Sequence, residues 1–363
     1  MRSLPHRLEK RSMGQAFSMR RFLAALFLTA MIPYVATLAW TGRLDSEDVA
    51  GMSELFGLPE DTGNPKAAGL GEESERTPAL GKIPASEPVV LLSRGGREYK
   101  VSAEECLPSL LAGQIPKDYG EETKKAQAVL LRTGLCLLAD ESGRIQENQL
   151  SERGIEFMDR GELEQLWGET EFASSYEAML EAVQATKGEV AAYSGAFEDG
   201  LIYPFYCRAA AGKTRILGEA YPYLRQAESP GDLKADGFLT ILTISPGELA
   251  ERISALPDAA PVSGEELLET LQIVERDEAG YVLQIQAGAK TYGGEEIREA
   301  LRFPSDCYEF SEYDGKLQAV CCGIGDGYGF SQAGANELEK EGTLYQELLS
   351  HYFQNVEILK IWE

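Results

Sequence analysis

One uninterrupted apolar segment constrains this chain more than any other feature of its sequence. Residues 22–40 read FLAALFLTAMIPYVATLAW and contain no charged side chain. As a helix, a segment of this length spans about 28 Å, close to the hydrocarbon thickness of a bilayer. Six basic residues and one acidic residue precede it within residues 1–21. Because basic flanks stay in the cytoplasm, the pattern predicts a single-pass transmembrane signal anchor at 22–40 behind a cytoplasmic basic tip at 1–21.

A cleaved signal peptide is the alternative interpretation of the same segment. Residues 22–32 would be its apolar region, and Ala36 or Ala39 would lie near the cleavage site, although no clean A-x-A motif is present. Translation from Met19 instead of Met1 would shorten the basic tip in either case. Both interpretations place the rest of the chain outside the cytoplasm. We therefore expect a cell-membrane protein with an extracytoplasmic body, or a secreted one.

The rest of the chain is strongly acidic. Residues 44–363 carry 27 basic and 58 acidic side chains. Nucleic-acid binding through phosphate contacts needs a dense basic face, so this balance argues against a nucleic-acid partner. Hydrophobic residues make up 44% of the chain, which is enough to build a core. Residues 41–85 are rich in Gly, Pro, Ser and Glu and predict a disordered linker with a typical reach of about 37 Å, before a folded body at 86–363.

Helices and strands mix in the body without a regular alternation, which predicts an α+β fold. Ser102 and Glu105 form a capping box before a helix that ends near Gly113, and apolar residues recur at helical spacing over 121–139. Further helices are expected at 176–186, 246–254, 263–269, 294–301, 331–340 and 343–352. Strands are expected at Val89–Leu92, Glu98–Val101, Glu189–Tyr193, Leu201–Tyr206, Leu239–Ile244, Leu271–Glu275, Tyr281–Ile285, Cys307–Phe310 and Leu317–Cys322.

Six segments of the body occur in an order that resembles one protein family. They read LAGQIPKDYGEETKKAQAVLLRT (111–133), EAVQATKGEVAAYSG (181–195), YPFYCRAAAGKTR (203–215), YPYLRQAESPGD (221–232), GGEEIREALRFPSDCYEF (293–310) and GIGDGYGFSQAGANELEKEGTLYQELLSHYF (323–353). With these motifs the body is similar to the SpoIID/LytB family, named after stage II sporulation protein D and the amidase enhancer LytB. The resemblance covers about 85–353 and implies a SpoIID-like α+β domain, which agrees with the expected single N-terminal anchor.

The resemblance also implies a function. Members look like membrane-anchored lytic transglycosylases that act on peptidoglycan glycan strands during sporulation, beside a cell-wall amidase and other sporulation membrane proteins, and LytB relatives enhance amidases. The catalytic glutamate of the family matches Gln114 here. In this reaction one carboxyl group protonates the leaving oxygen and then takes a proton from the muramic acid 6-hydroxyl. An amide can do neither, and the loss of a general acid costs about 10²–10⁴-fold in rate.

Two further polar positions depart from the family pattern, because Cys207 and Asp326 stand where many members have histidines. The sequence therefore indicates a kept scaffold with changed or lost chemistry. Three repairs stay open: Glu121 or Glu122 swings toward the glycan, Asp326 supplies the carboxylate, or Cys207 and Asp326 form a new acid/base pair. The competing interpretations are a helix-dipole charge at Glu122, a turn former at Asp326 and a buried strand residue at Cys207.

Candidate glycan-binding residues lie in the same segments: Tyr206, Cys207, Arg132, Ser331 and Gln332. Ser331 is also expected to cap the helix that follows it. His351 is expected to be structural. Position 207 has a cysteine in place of the family's histidine, and the chain has no C-x-x-C motif, so the sequence predicts no metal site and no cofactor. Cys321 and Cys322 should point to opposite faces of one strand, and the other pairings of the six cysteines stay open.

Two functions follow from these observations. The first is a scaffold or amidase partner that binds glycan strands and has lost the catalytic acid. The second is an active lytic transglycosylase with a relocated carboxylate. The sequence alone does not decide between them.

Overall fold

The computed structural model describes residues 80–363, except residues 95, 156, 195–199, 258 and 260. The expected basic tip, the membrane anchor and residues 41–79 of the expected linker lie outside this part. No helix within the described ranges has the length and apolar character needed to cross a bilayer. The end of the linker prediction is wrong, because Gly81 already pairs with Leu201 through two backbone hydrogen bonds of 2.8 Å.

The first half of the body is mainly helical. Ser102 begins the first helix through a capping box, in which its hydroxyl accepts from the Glu105 N–H at 3.3 Å and the Glu105 carboxylate accepts from the Ser102 N–H at 3.1 Å. The elements are β1 (Val89–Arg94), β2 (Arg97–Ser102), α1 (Ala103–Gln114), α2 (Glu121–Leu138), β3 (Arg144–Gln146), α3 (Glu147–Ser151), α4 (Arg160–Trp167), α5 (Glu169–Ala185), β4 (Glu189–Tyr193), β5 (Gly200–Leu201) and β6 (Tyr206–Cys207).

The second half contains more strand. A 3₁₀ turn at Pro230–Lys234 comes first. The elements that follow are β7 (Leu239–Ile244), α6 (Pro246–Ser254), α7 (Gly264–Thr270), β8 (Gln272–Arg276), β9 (Val282–Ala287), β10 (Lys290–Gly293), α8 (Gly294–Leu301), β11 (Tyr308–Tyr313), β12 (Lys316–Cys322), β13 (Phe330–Ser331), α9 (Gln332–Lys340), α10 (Tyr345–Tyr352) and β14 (Val356–Lys360).

Helix α2 lies between two apolar cores, which explains why it is apolar around most of its surface. Ala128, Leu131 and Leu135 pack with α1, α5 and the sheet β2–β1–β3. Its opposite face contributes to a second core that α10 and the sheet β14–β4–β5 complete. Burial of each large aliphatic side chain contributes roughly 1.5–3 kcal/mol, so α2 is the main structural element of this half.

Residues 239–322 form a separate layer with a core of their own. The sheets β10–β9–β8 and β11–β12–β7 enclose it together with α6, α7 and α8. This layer is inserted between β6 and β13, yet β6 and β13 pair in parallel, with Tyr206 opposite Phe330 and Cys207 opposite Ser331. The insertion therefore leaves two distant segments of the chain side by side, and the candidate site lies at this junction.

Several predicted elements are present, and some are wrong. The α+β class and the helices predicted at 121–139, 246–254 and 294–301 agree with the structure. The predicted strand Leu201–Tyr206 is wrong, because β5 ends at Leu201 and β6 begins at Tyr206, with Pro204, which lacks an N–H donor, between them. Helix α5 begins at Glu169, not at residue 176, since Gly168 with a φ of 83° ends the preceding helix. Helices α3 and α4 and strand β14 were not predicted.

Candidate functional site

Gln114 ends α1 and has both ends of its side-chain amide occupied. Its Nε2 donates to the Gly154 carbonyl at 3.2 Å, and its Oε1 accepts from the Tyr206 hydroxyl at 2.8 Å. A carbonyl oxygen can only accept, so the Gly154 contact fixes which end of the amide carries the nitrogen. The side chain is half-buried at this position. Gln114 is therefore a neutral, oriented group, supported by the first residue of β6.

Gln332 joins α9 to the same group. Its Nε2 donates to the Gln114 backbone carbonyl at 2.9 Å and to Oε1 of Gln127 at 3.1 Å. Both Gln332 and Gln127 are buried, with exposures of 1% and 0%. The Oε1 of Gln332 and the Nε2 of Gln127 have no partner among the described residues. Of the predicted residues, Gln114, Tyr206 and Gln332 thus lie together, and Gln127 is a member that the sequence did not indicate.

Behind this group, Cys207 and Ser331 face each other across β6 and β13. The Ser331 hydroxyl donates to Asp232 Oδ1 at 2.5 Å and accepts from the Ala210 N–H at 3.2 Å. Ser331 immediately precedes α9, but its side chain makes no capping bond, so the prediction that it caps this helix is wrong. Burial raises the pKa of Asp232 to about 7 and raises that of Cys207 well above its usual range. Asp232 was missed, although it ends one of the recognised motifs.

Asp326 lies in the glycine-rich loop between β12 and β13, close to Cys207. A Cβ placed on the neighbouring Gly325 would lie 2.9 Å from Cys207 Cβ. The Asp326 carboxylate accepts from the Tyr328 N–H at 3.1 Å, and its backbone carbonyl accepts from Arg215 at 3.0 Å. Burial raises the pKa of Asp326 and outweighs the nearby positive charges. Asp326 therefore has the local bonding of a turn former, and no hydrogen bond links it to Gln114.

Two of the predicted site residues belong to other parts of the fold. Arg132 is fully buried, and it forms a bidentate pair with Glu104 at 2.8 and 2.9 Å, with its other donors on Thr186 and on the Val183 and Glu189 carbonyls. All five of its N–H donors are used inside the core, so the substrate-binding role predicted for Arg132 is wrong.

Glu122 is also placed away from the Gln114 group. Its carboxylate accepts from the Tyr345 N–H at 2.8 Å and pairs with Lys125 at 2.8 Å. These contacts connect α2 to α10, so the predicted swing of Glu122 toward a glycan would break both. Glu121 pairs with Lys125 at 2.6 Å and is largely exposed. Neither acid lies beside Gln114 in this structure.

A cleft of about 350 Å³ is lined by residues that follow three of the candidate residues in the sequence, although Gln114 itself is not part of the lining. Its walls come from four segments. Three of them follow a candidate residue, with Pro116 after Gln114, Arg208 after Cys207 and Ala333 after Gln332, and the fourth is 231–236. The complete lining is Pro116, Asp118, Tyr119, Arg208, Gly231, Lys234, Ala235, Asp236, Ala333, Asn336, Glu337 and Lys340. None of these residues was predicted as a site residue, because they are ordinary surface types that only the fold brings together.

Three basic and three acidic side chains line the cleft, but not all of them form ion pairs. Lys234 pairs with Glu337 at 2.8 Å, and Lys340 also pairs with Glu337. No carboxylate among the described residues lies within ion-pair distance of Arg208, which is half-buried. An unpaired, half-buried guanidinium in an otherwise acidic body is a candidate contact for an anionic group of a ligand.

The comparisons with known proteins agree with this arrangement of motifs. Residues 97–193 match the family model described as SpoIID, stage II sporulation protein. Stage II sporulation protein D of Bacillus amyloliquefaciens is 27% identical over 306 residues, which cover 82% of this chain and 85% of that protein. Residues 97–193 thus form a SpoIID family-model domain. Stage II sporulation protein D of Bacillus subtilis (strain 168) is 25% identical over 312 residues, or 81% of this chain and 88% of that protein.

The SpoIID-family model begins at β2 and ends at β4, so it contains Gln114 and the whole of α2 but not the Cys207 or Asp326 segments. No group of three or more potential metal ligands occurs in the described parts of this protein. His351 contacts the Glu228 carbonyl through Nε2 at 2.8 Å and packs against Tyr352, which agrees with a structural role.

Proposed function

We propose that this sporulation protein binds peptidoglycan glycan strands in the cleft beside Gln114 and does not cut them. The observation that carries the proposal is the combination of a neutral, oriented amide at position 114 with an unpaired guanidinium at Arg208 in the wall of the adjoining cleft. The amide offers hydrogen bonds to sugar hydroxyl or acetamido groups, and the guanidinium offers a charged contact.

The argument against cleavage rests on the side chain at position 114. The family resemblance aligns Gln114 with the glutamate that moves protons in a lytic transglycosylase, and an amide cannot replace it. The carboxylates suggested as repairs are engaged elsewhere: Glu122 with Tyr345 and Lys125, and Asp326 with the Tyr328 N–H. Cys207 is buried to 4% exposure, and its raised pKa keeps it a thiol at neutral pH.

Arg208 suggests which glycan strands would bind best. Each muramic acid carries a lactyl carboxyl group, which is amide-linked in intact peptidoglycan and free after a cell-wall amidase has removed the stem peptide. A free lactyl carboxylate is the kind of anion that a guanidinium binds bidentately. We therefore propose that the protein prefers peptide-stripped strands, and we infer an amidase as its functional partner for this reason.

One observation supports the second function, an active lytic transglycosylase with a relocated carboxylate. Asp118 and Asp236 line the same cleft and are exposed, so either could present a carboxyl group to a bound glycan. Neither was among the repairs expected from the sequence. In this alternative the protein is a lytic transglycosylase whose acid has moved from position 114 to another residue of the cleft wall.

One binding experiment with product analysis tests both functions. The full-length protein is incubated with sacculi that an amidase has stripped of stem peptides, and with intact sacculi as the matched control. We expect sedimentation with the stripped sacculi, weaker sedimentation with the intact ones, and no anhydro-muramic ends by mass spectrometry. Anhydro ends that vanish in Asp118→Asn or Asp236→Asn would establish the enzyme. A protein that stays in the supernatant with both substrates would refute both functions.

We propose further that residues 22–40 anchor the protein in the cell membrane with its body outside, near other sporulation membrane proteins. The support for the anchor is the uncharged length of this segment and its basic flank. Protease added to cells stripped of their wall should digest the body and spare a cytoplasmic marker. A body that is protected together with the marker would contradict this topology, and release into the medium would favour the cleaved signal peptide.

A further inference from the structure

Two cysteines outside the cleft stand opposite each other on neighbouring strands. In the antiparallel pair β11–β12, Tyr308 lies opposite Cys321. One position further along this register, Cys307 lies opposite Cys322. The Cys322 N–H donates to the Cys307 carbonyl at 2.9 Å, which confirms that these two residues are partners. Directly opposite residues share one face of a sheet, so both thiols lie on the same side.

The backbone geometry of this pair suits a disulfide. Opposite residues joined by a hydrogen bond in antiparallel strands have Cα atoms about 5.5 Å apart, and disulfides most often join Cα atoms at about 5.5–6 Å. The two Cβ atoms of a disulfide lie roughly 1 Å closer together than those of an ordinary pair of opposite residues, so the Cβ atoms of Cys307 and Cys322 must approach by this amount. Cys307 can make this adjustment, because its own N–H donates to Ser305 Oγ at 3.0 Å and so does not tie it to β12.

The other cysteines lack such a partner. Cys321 is fully buried on the opposite face of β12, against the core of the inserted layer. Cys106 and Cys136 belong to α1 and α2, and Cys207 belongs to β6. Exposure also distinguishes the pair, since Cys307 is half-buried whereas Cys322 has an exposure of 8%. An oxidant in solution therefore meets Cys307 first.

The position of the pair connects it to the candidate site. Asp306, just before Cys307, forms ion pairs with Arg298 at 2.6 Å and Arg215 at 3.4 Å. After Cys322 the chain enters the glycine-rich loop at 323–329, where Gly325 donates its N–H to the Pro304 carbonyl at 2.8 Å. The two segments that leave the sheet at Cys307 and Cys322 thus remain paired as far as Gly325, which contacts Cys207.

We propose that Cys307 and Cys322 form a cross-strand disulfide on reaction with a small-molecule disulfide, and that the bond clamps the base of the loop at 323–329. The Cys307 thiolate attacks one sulfur of the oxidant and releases one thiolate, which leaves a mixed disulfide on Cys307. The Cys322 thiolate then attacks the Cys307 sulfur and releases the second thiolate. The protein gives up two electrons and two protons, and the oxidant becomes two thiols.

Thiol counting and peptide mapping test the proposal. The reduced full-length chain is exposed to oxidised glutathione, unfolded in urea with iodoacetamide so that buried free thiols also react, and digested without reductant. We expect two of the six thiols to escape alkylation and one linked peptide pair that contains Cys307 and Cys322. Cys307→Ala and Cys322→Ala should each abolish the link. The matched control Cys321→Ala, one residue away on the other face of β12, should keep it.

Two further measurements test the rate of disulfide formation and the clamping of the loop at 323–329. Burial raises the pKa of both thiols to about 12, so the rate of linking should rise about tenfold per pH unit between pH 7 and 10. The linked form should melt roughly 5 °C higher than the reduced form, and dithiothreitol should reverse the shift. Full alkylation, a different linked pair or a glutathione adduct that persists on Cys307 would refute the disulfide. An unchanged melting temperature in the linked form would refute the clamp.

Discussion

Two arginines of this protein have opposite surroundings. Arg132, on α2, is fully buried and uses every donor on Glu104 and on neighbouring backbone and hydroxyl oxygens. Burial alone would raise the pKa of the Glu104 carboxyl group. The Arg132 guanidinium outweighs burial and holds this pKa below its usual range. Arg208 lies in the wall of a cleft, and no carboxylate in the described ranges pairs with it.

This difference separates a polar group that stabilises the fold from one that is available to a ligand. The Arg132 and Glu104 charges satisfy each other, so they add nothing to a binding surface. Within the described residues no carboxylate pairs with the Arg208 guanidinium, and the Gln114 amide is oriented but neutral. The comparison predicts that substitutions at the first site change stability, whereas substitutions at the second change binding.

The largest expected effect is at the buried pair. Arg132→Ala should reduce the free energy of unfolding by about 3–5 kcal/mol, because it leaves the Glu104 carboxylate buried without its partner. Urea denaturation of the full-length protein measures this. Arg144→Ala, at an exposed position on β3, is the control and should cost less than about 0.5 kcal/mol. The double variant Arg132→Met with Glu104→Leu should recover much of the loss, and an Arg132→Ala loss below about 1 kcal/mol would contradict the buried network.

The next largest effect is expected for Gln114→Glu and concerns the cleavage of glycan strands. In Gln114→Glu one carboxyl oxygen would face the Gly154 carbonyl, which now accepts from Nε2 at 3.2 Å. Two acceptors at this distance favour the protonated acid, the form that a lytic transglycosylase needs. If the acid is the missing element, anhydro-muramic products should rise at least about 10²-fold above wild type. A variant that still binds stripped sacculi without forming these products would mean that more than the acid has been lost.

A smaller effect is expected for Arg208. Arg208→Ala should weaken binding to stripped sacculi about tenfold, since a hydrogen-bonded contact to a charged group contributes roughly 1.5–3 kcal/mol. Melting of the variant should be unchanged, which distinguishes this arginine from Arg132. Arg208→Lys should retain part of the affinity, because the charge remains but the bidentate geometry does not. If Arg208→Ala binds as tightly as the Arg144→Ala control, the lactyl carboxylate is not its ligand.

The last expected effect concerns Asp232 and pH. Its pKa, which burial raises to about 7 in the folded protein, lies near 4 in the unfolded chain. The folded state therefore binds more protons between about pH 4 and 7, so stability falls as pH rises through this window and levels off above pH 7. Asp232→Asn mimics the neutral acid and should flatten that slope by up to roughly 1 kcal/mol per pH unit. An unaltered slope in urea titrations across this window would contradict the raised pKa.

Sequence reasoning succeeded where the information is local. The capping box of Ser102 and Glu105 and the periodicity of α2 depend on residues within a few turns, and both were predicted. It failed where tertiary contacts decide. Arg132 has the same sequence character whether it faces a cleft or a core, and only the packing of α5 and β4 around it makes it structural.

The candidate site shows the same limit. Gln114 was identified through a family resemblance, but its partner Gly154 lies in a region without recognised motifs. The parallel pairing of β6 with β13 spans the whole inserted layer, and nothing in the local sequence specifies which distant segments meet there. Asp118 and Arg208 became candidates only after the fold placed them around one cleft.

A structure of the protein with a peptide-free tetrasaccharide of alternating N-acetylglucosamine and N-acetylmuramic acid tests the central claim most directly. The account predicts an intact glycan in the cleft, with a lactyl carboxylate on Arg208 and a sugar group within hydrogen-bond distance of the Gln114 amide. A sugar bound at another surface, or a cleft still empty at saturating tetrasaccharide, would contradict it.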